Sequence, residues 1–246
     1  MSELVKSIQE NVVFFLEFMG VVAAIFIVAY VAEKLIARKQ EVTERILSTR
    51  KIAIIGMFSA IAAVLMILEF PVPFAPFFYK LDFSELPALI GTFAFGPVAG
   101  VLIEFCKIVI KLFIKPTSTA FVGELANFVV GCSFLLPASI IYNLNKSKKT
   151  AIVACVIATL CMTVFGTAFN AIYLLPTFAK MFGMYEDNMA GLIEMGKKVN
   201  GAITGIVSFV CFAVAPLNLI KGGSVSLITL LIYKKLSPIL KKTNQA

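Results

Sequence analysis

The amino-acid sequence predicts an all-α fold, that of a polytopic helical membrane protein with seven membrane-spanning segments. Its composition supports this prediction, because 60% of the 246 residues are hydrophobic, only 15% are charged, and the mean hydropathy is +0.96. The apolar residues form runs that are long enough to cross a bilayer. Clusters of lysine and arginine separate some of these runs, which is typical of the cytoplasmic loops of membrane proteins.

The composition also excludes several classes of function. The chain has no histidine, which excludes imidazole catalysis and histidine metal sites. Its five cysteines lie in apolar runs without CxxC spacing, which favours free thiols. The net charge of +8 comes mainly from cations at the ends of apolar runs, a pattern of membrane topology. We therefore expect no metal site and no nucleic-acid partner, and most familiar catalytic chemistry is excluded.

The first apolar run covers residues 11–37. It is too long for a cleavable signal peptide and lacks a basic start, so we expect a retained span. Three basic clusters, at residues 38–51, 146–149 and 234–242, then fix the topology. They alternate correctly with seven spans if the N-terminus lies outside the cell and the C-terminus in the cytoplasm.

The second span, residues 51–70, carries a face of small residues. Gly56 and Ala60 on this face are four residues apart, a spacing that lets two helices approach closely. We expect this face to dock against another helix. The spacing alone does not decide whether that helix belongs to this chain or to a partner.

Residues 71–80 are too rich in proline for a helix and carry four aromatic side chains. These rings either cover a flat ligand or belong to an aromatic belt at the membrane interface. The rings are those of Phe74, Phe77, Phe78 and Tyr79.

A short span follows this loop and ends at Phe95. Asp82 and Glu85 lie at its start, where we expect them to cap the helix. The next span, residues 98–114, has three charged side chains on one face, for which an internal ion pair is the simplest explanation. These are Glu104, Lys107 and Lys111.

The last three spans place polar groups at a common depth. At about 1.5 Å per residue, Lys221 lies about 20 Å above the cytoplasmic end of its span, and Asn127 and Asn170 lie about 27 to 28 Å above theirs. Asn218 shares a helix face with Lys221, and Pro216 predicts an interruption of this helix. We expect a pocket that opens to the outside, contains no facing carboxylate pair, and binds a neutral, ring-shaped molecule.

Five motifs resemble those of the riboflavin-specific S components of energy-coupling factor (ECF) vitamin transporters. Together they are specific, although none is specific alone, and the resemblance covers about residues 51–242. The motifs are LDFSELPAL at 81–89, FGPVAG at 95–100, GELANFVVG at 123–131, FNAIYLLP at 169–176 and APLNLIKG at 215–222.

The resemblance implies a six-helix riboflavin-binding S-component core, at residues 51–246. The helix at residues 11–37 and the stretch at 181–199 depart from the family, and we expect residues 1–50 to form an additional N-terminal transmembrane helix with a basic cytoplasmic connector. Such a protein captures riboflavin as a substrate at the cell surface, without a cofactor, enzyme activity or catalytic residues. A membrane scaffold, the T component, and two ATPase subunits then drive uptake. The alternatives are another flat vitamin or a flavin such as FMN, a self-sufficient secondary transporter, and a membrane enzyme.

The resemblance also implies roles for individual residues. Asn170, Asn218 and Lys221 would hydrogen-bond the isoalloxazine ring, the loop at 71–81 would act as a lid, and the face of Gly56 and Ala60 would contact the scaffold. Our complete set of expected substrate-binding residues is Asn170, Asn218, Lys221, Asn127, Glu124, Tyr173, Phe74, Phe78, Tyr79 and Leu81.

Overall fold

The structure is a computed structural model that describes residues 12–40, 47–117, 119–181, 183–185 and 189–244. Part of the basic connector, residues 41–46, therefore lies outside the described residues, as do residues 1–11. The helices are α1 (Val12–Gln40), α2 (Thr49–Ile67), α3 (Glu85–Phe95), α4 (Pro97–Ile114), α5 (Val122–Leu144), α6 (Lys148–Phe169), α7 (Leu175–Met181), α8 (Ala190–Val199), α9 (Ile206–Phe209) and α10 (Ala215–Asn244). Two short strands, β1 (Phe70–Pro71) and β2 (Lys80–Leu81), pair in antiparallel register, Phe70 opposite Leu81 and Pro71 opposite Lys80.

The chain is a polytopic helical membrane protein. Within the described residues, five helical segments are long and apolar enough to cross a membrane: Val12–Gln40, Thr49–Ile67, Val122–Leu144, Lys148–Met181 and Ile206–Ile232. The 18-residue α4 is also apolar but carries three charged residues. The 11-residue α3 is only about 16 Å long, half the thickness of the hydrocarbon core. The short span expected to end at Phe95 therefore does not cross a membrane by itself.

The short helix α3 lies at the centre of the bundle. It packs against α2, α4, α5 and α10, and all of its residues except Leu86 are buried. An apolar helix without a polar face is stable only where other helices surround it. Gly96 then turns the chain sharply into α4 with a φ of +102°, a backbone conformation that favours glycine. α3 thus positions its first turn deep inside the protein.

Two of the long helices contain a π-helical turn. The turns cover Asn170–Leu174, before α7, and Val210–Val214, before α10, and they contact each other. A proline follows each turn closely, Pro176 in α7 and Pro216 in α10. A proline lacks the N–H group and crowds the preceding turn, so a locally widened helix accommodates it. The interruption expected near Pro216 is present, and the turn before Pro176 is a second one, which was not predicted from the sequence.

The N-terminal helix α1 packs against α4 and α5. Its buried residues are Phe18, Val22, Ala29 and Ile36. Oε2 of Glu33 accepts a hydrogen bond from the N–H of Val98 at 2.9 Å. The first residues of α4 have no side-chain cap of their own. Glu33 therefore supplies the hydrogen-bond acceptor that the N-terminus of α4 lacks.

The small-residue face of α2 divides into two. Ser59 and Ala63 are buried against the rest of the protein, whereas Gly56 and Ala60 are exposed. A Cβ atom built on Gly56 would have no atom beyond its own helical turn within 4 Å. In the described part of the chain, therefore, no helix packs on the face of Gly56.

Candidate functional site

A cavity of about 150 Å³ lies between α5, α6, α10 and the loop that joins the two strands. We call it the inner cavity, and we call residues 72–79 the aromatic loop. The apolar residues that line the inner cavity include Met162, Leu174 and Leu217. Its polar lining residues are Lys80, Glu85, Asn127, Asn170, Asn218 and Lys221.

The structure brings six of the ten expected substrate-binding residues to this cavity. They are Asn127, Asn170, Asn218, Lys221, Phe78 and Tyr79.

The other four expected residues lie elsewhere. Glu124 lines a neighbouring cavity, whereas Phe74, Leu81 and Tyr173 line neither one. Phe74 and Leu81 pack in the apolar cluster around the aromatic loop. Tyr173 stacks on Phe169 with 5.2 Å between ring centroids. These three side chains pack in the surroundings of the cavity but do not line it.

Two carboxamides of the inner cavity have buried atoms without a hydrogen-bond partner among the described residues. These atoms are Nδ2 of Asn218, a donor, and Oδ1 of Asn127, an acceptor. An unpaired buried polar atom is costly, and native structures usually pair it. The pair therefore suits a ligand that presents both an acceptor and a donor at its edge.

Asn170 differs from these two residues because both polar atoms of its carboxamide have a hydrogen-bond partner. Its Oδ1 accepts a hydrogen bond from the hydroxyl of Tyr79 at 2.6 Å, and its Nδ2 donates to the carbonyl of Gly166 at 2.7 Å. Tyr79 is the last residue of the aromatic loop. One end of that loop is therefore bonded directly to a wall of the inner cavity.

Lys221 also has protein partners. Its Nζ lies 3.0 Å from Oδ2 of Asp82 and 2.9 Å from Oε2 of Glu85. An ammonium group has three N–H donors, so one remains for a further acceptor. Our expectation of a pocket without facing carboxylates was wrong, because both carboxylates converge on this lysine. Glu85 lies in the first turn of α3 as expected, but among the described residues neither carboxylate caps this helix, and Oδ1 of Asp82 accepts from the N–H of Ser84 just before it. Asp82 and Glu85 are instead the counter-ions that burial of Lys221 requires.

The ion pairs continue from Glu85 to a second lysine. Nζ of Lys107 lies 3.0 Å from Oε1 of Glu85 and 2.6 Å from Oε1 of Glu104, and it donates to Oγ of Ser84 at 2.7 Å. Glu85 thus bridges both lysines, in a network that contains three carboxylates and two ammonium groups. The sequence carried a usable signal for this network, because a lysine inside a membrane span needs an acidic partner. The expected pair of Glu104 and Lys107 is present, whereas Lys111 pairs with Glu124 at 2.8 Å.

A second, outer cavity of about 350 Å³ adjoins the inner one, and Phe78, Lys80 and Asn127 line both. Glu69, on its rim, binds Lys80 and Lys115 at 2.7 Å each. Partial burial would raise the pKa of Glu69, but the hydrogen bonds from the two lysines outweigh it and hold that pKa below its ordinary value. Both cavities therefore have charged side chains in their walls, and the inner one adds the three carboxamides of Asn127, Asn170 and Asn218. Neither contains a group of three or more acidic or thiol side chains that could hold a metal ion, as far as the described residues extend.

Comparisons with known proteins agree on one family. The sequence profile described as "ECF transporter, substrate-specific component" matches residues 50–233. The riboflavin transporter RibU of Staphylococcus aureus is 36% identical over 193 residues, which cover 78% of this chain and 93% of the relative. The riboflavin transporter FmnP of Bacillus subtilis is 30% identical over 201 residues, which cover 81% and 98%.

A solved structure of the S component of a bacterial ECF transporter has the same fold. It superimposes with a TM-score of 0.60 at 35% sequence identity, and the match covers 78% of this chain and 97% of that one. α1 lies before the matched residues of the family profile. The profile covers well over half of the chain, and sequence and fold agree with it, so this protein belongs to the family of substrate-specific S components of ECF transporters.

Proposed function

We propose that this chain is the riboflavin-binding S component of an ECF transporter. It captures the vitamin at the outer face of the cell membrane, and partner subunits drive uptake with ATP. The observation that carries the proposal is the unpaired donor of Asn218 and unpaired acceptor of Asn127 in one buried cavity. The relatives named as riboflavin transporters supply the identity of the ligand.

The chemistry of riboflavin suits this cavity. One edge of the isoalloxazine ring alternates carbonyl and N–H groups, which need both donors and acceptors when they are buried. Asn127, Asn170 and Asn218 offer both kinds of group, and Lys221 retains one N–H for a carbonyl. Apolar side chains such as Met162 and Leu217 would cover the ring faces. The vitamin is held as a substrate, so no cofactor and no chemical step are involved.

The aromatic loop would act as a lid over this site. Pockets for ligands of this size usually have volumes of about 300 Å³ or more, whereas the inner cavity has about 150 Å³. Phe78 of the same loop also lines the outer cavity. A shift of the loop would therefore join the two cavities and make room for the ring system and its ribityl chain.

Membership in the family implies association with a membrane scaffold, the T component, and two ATPase subunits. We propose that the exposed face of Gly56 and Ala60 docks the scaffold, because small residues let helices approach closely and the face is open. We also propose that α1 with its connector, residues 1–50, is an addition to a core at residues 51–246. In this arrangement the N-terminus lies outside and the C-terminus in the cytoplasm.

Ligand titration of the purified protein tests the proposal. We expect protein purified from riboflavin-supplied cells to show a flavin absorption spectrum, and stripped protein to bind added riboflavin. Thiamine, biotin and FMN serve as competitors that distinguish the alternatives. A protein that binds thiamine or biotin in place of riboflavin would contradict the proposed substrate. Tighter binding of FMN than of riboflavin would contradict the proposed substrate and identify the phosphate ester as the preferred ligand.

A further inference from the structure

We propose that Tyr79 sets the affinity for riboflavin by occupying Asn170, so that the vitamin binds by displacing the Tyr79 hydroxyl. This inference rests on the proposed function and deepens it. The Tyr79 hydroxyl would then compete with riboflavin for the carboxamide of Asn170. The inference reverses the simplest expectation for an aromatic residue of a lid, namely that its removal weakens binding.

The hydrogen bond between the two residues is short and buried. The Tyr79 hydroxyl donates to Oδ1 of Asn170 at 2.6 Å, and the two residues are 7% and 4% exposed. Burial also raises the pKa of Tyr79, so the hydroxyl keeps its proton and remains a donor. The bond therefore stabilises the arrangement in which the loop end lies on the cavity wall.

The three carboxamides of the inner cavity differ in their hydrogen-bond partners, and this difference supports the inference. Asn127 and Asn218 each have a buried atom without a partner, whereas the polar atoms of Asn170 are both paired. The Nδ2 of Asn170 is held by the carbonyl of Gly166, one turn earlier in α6, which directs Oδ1 toward Tyr79. Of these three carboxamides, the one that Tyr79 reaches is thus the one whose two polar atoms both have partners among the described residues.

The position of Tyr79 makes its displacement necessary. The inner cavity has about half the volume of a small ligand site, so part of its wall must move when a tricyclic ring enters. Most of the wall consists of packed helices, while Phe78 and Tyr79 belong to a loop held by two-residue strands. The ring centroids of these two residues lie 4.8 Å apart, so they move together most readily. Movement of Tyr79 breaks its bond to Asn170.

The sign of the effect follows from a thermodynamic cycle. The bond stabilises only the protein without riboflavin, because in the complex the vitamin takes the place of the hydroxyl at Asn170. Its net contribution is therefore subtracted from the binding free energy. In Tyr79→Phe the unliganded protein loses this bond, and Oδ1 of Asn170 is left unpaired until riboflavin arrives. Riboflavin affinity should then rise roughly three- to tenfold.

The test combines riboflavin titration with thermal unfolding of the full-length protein in detergent. For Tyr79→Phe we expect a lower Kd, a lower unfolding midpoint without riboflavin, and a midpoint equal to that of the wild type at saturating riboflavin. A bond that persists in the complex would lower both midpoints. Tyr173→Phe is the matched control, because Tyr173 does not line the cavity, and it should leave Kd unchanged.

The outcomes separate the two proposals. If the wild type binds riboflavin and Tyr79→Phe binds with equal or weaker affinity, Tyr79 is a ligand contact or a packing residue, and this inference is wrong. If the wild type does not bind riboflavin, the proposed function itself fails, and this inference fails with it.

Discussion

Gly166 of α6 makes the room that the carboxamide of Asn218 in α10 occupies. A Cβ atom at position 166 would lie 2.6 Å from Nδ2 of Asn218 and 3.3 Å from Cγ1 of Val130. Both distances are shorter than an ordinary van der Waals contact. The glycine thus lets α6 and α10 approach closely, and it fixes the unpaired donor at the wall of the inner cavity.

Gly166→Ala should weaken riboflavin binding about tenfold, because the new methyl group displaces the Asn218 amide from its position. The fold should survive, since a side chain of this size can move away from one methyl group. Riboflavin titration measures the effect. Gly223→Ala, in α10, is the control, because a Cβ atom there has open space around it. Equal affinity of both variants and the wild type would show that the position of Asn218 does not matter.

Lys221→Met should destabilise the protein strongly, by about 3 to 5 kcal/mol, because it leaves the buried Asp82 without its ion pair and removes one of the two lysines that pair with Glu85. The unfolding midpoint without ligand measures this loss. Adding Glu85→Gln to Lys221→Met removes one uncompensated charge, so the double variant should regain part of the stability. Lys198→Met is the control, because the pair of Lys198 with Glu194 is exposed. A midpoint of Lys221→Met equal to that of the wild type would argue against the buried network.

Glu69→Gln should remove part of the acid sensitivity of the protein. The pKa of Glu69 is below its ordinary value of 4.5 in the folded protein, so its ion pairs stabilise the fold at higher pH. This stabilisation is lost as pH falls below the ordinary value and through the lowered pKa. Between about pH 6 and about pH 3, the unfolding midpoint should therefore fall further for the wild type than for Glu69→Gln.

The difference for Glu69 should be small and should shrink at high salt, because its lysine partners are partly exposed. Parallel curves for the two proteins at low salt would show that Glu69 contributes nothing to acid stability.

Gly56→Leu should abolish riboflavin uptake by the complete transporter and leave riboflavin binding intact. The added bulk would hold the scaffold helix away from α2, while the inner cavity lies on other helices. Uptake of labelled riboflavin by cells and titration of the purified variant measure the two properties. Gly20→Leu on α1, where a Cβ atom also meets open space, should change neither. Uptake that falls in parallel with binding would assign Gly56 to packing within the S component.

Much of this architecture follows from one-dimensional properties of the sequence. Hydropathy predicts helices, and the rise of a helix gives the depth of each polar residue, so Asn127, Asn170 and Lys221 were expected at one level. Whether a residue lines a cavity also depends on how the helices are rotated and packed against each other. Tyr173 and Leu81, for example, were expected at the site but pack in apolar clusters. The sequence pattern does not contain that information.

The ion-pair network shows the same limit. Asp82 and Lys221 are 139 positions apart, and they meet only because the short helix α3 is packed inside the bundle beside α10. Capping explains an acidic residue at a helix start from local sequence alone, and it was therefore the expected role. The bond between Tyr79 and Asn170, 91 positions apart, likewise depends on how the aromatic loop lies over the bundle.

The riboflavin affinity of Asn218→Leu tests the central claim of this account most directly. Asn218 is buried in the inner cavity and offers an unpaired donor, and leucine keeps its approximate size in an apolar setting. Thr229→Val, on the same helix, also removes a buried polar atom without a partner, but Thr229 does not line the cavity. We predict an affinity at least about tenfold lower for Asn218→Leu and unchanged for Thr229→Val, with both proteins folded. Wild-type affinity of Asn218→Leu would contradict the assignment of this cavity as the riboflavin site.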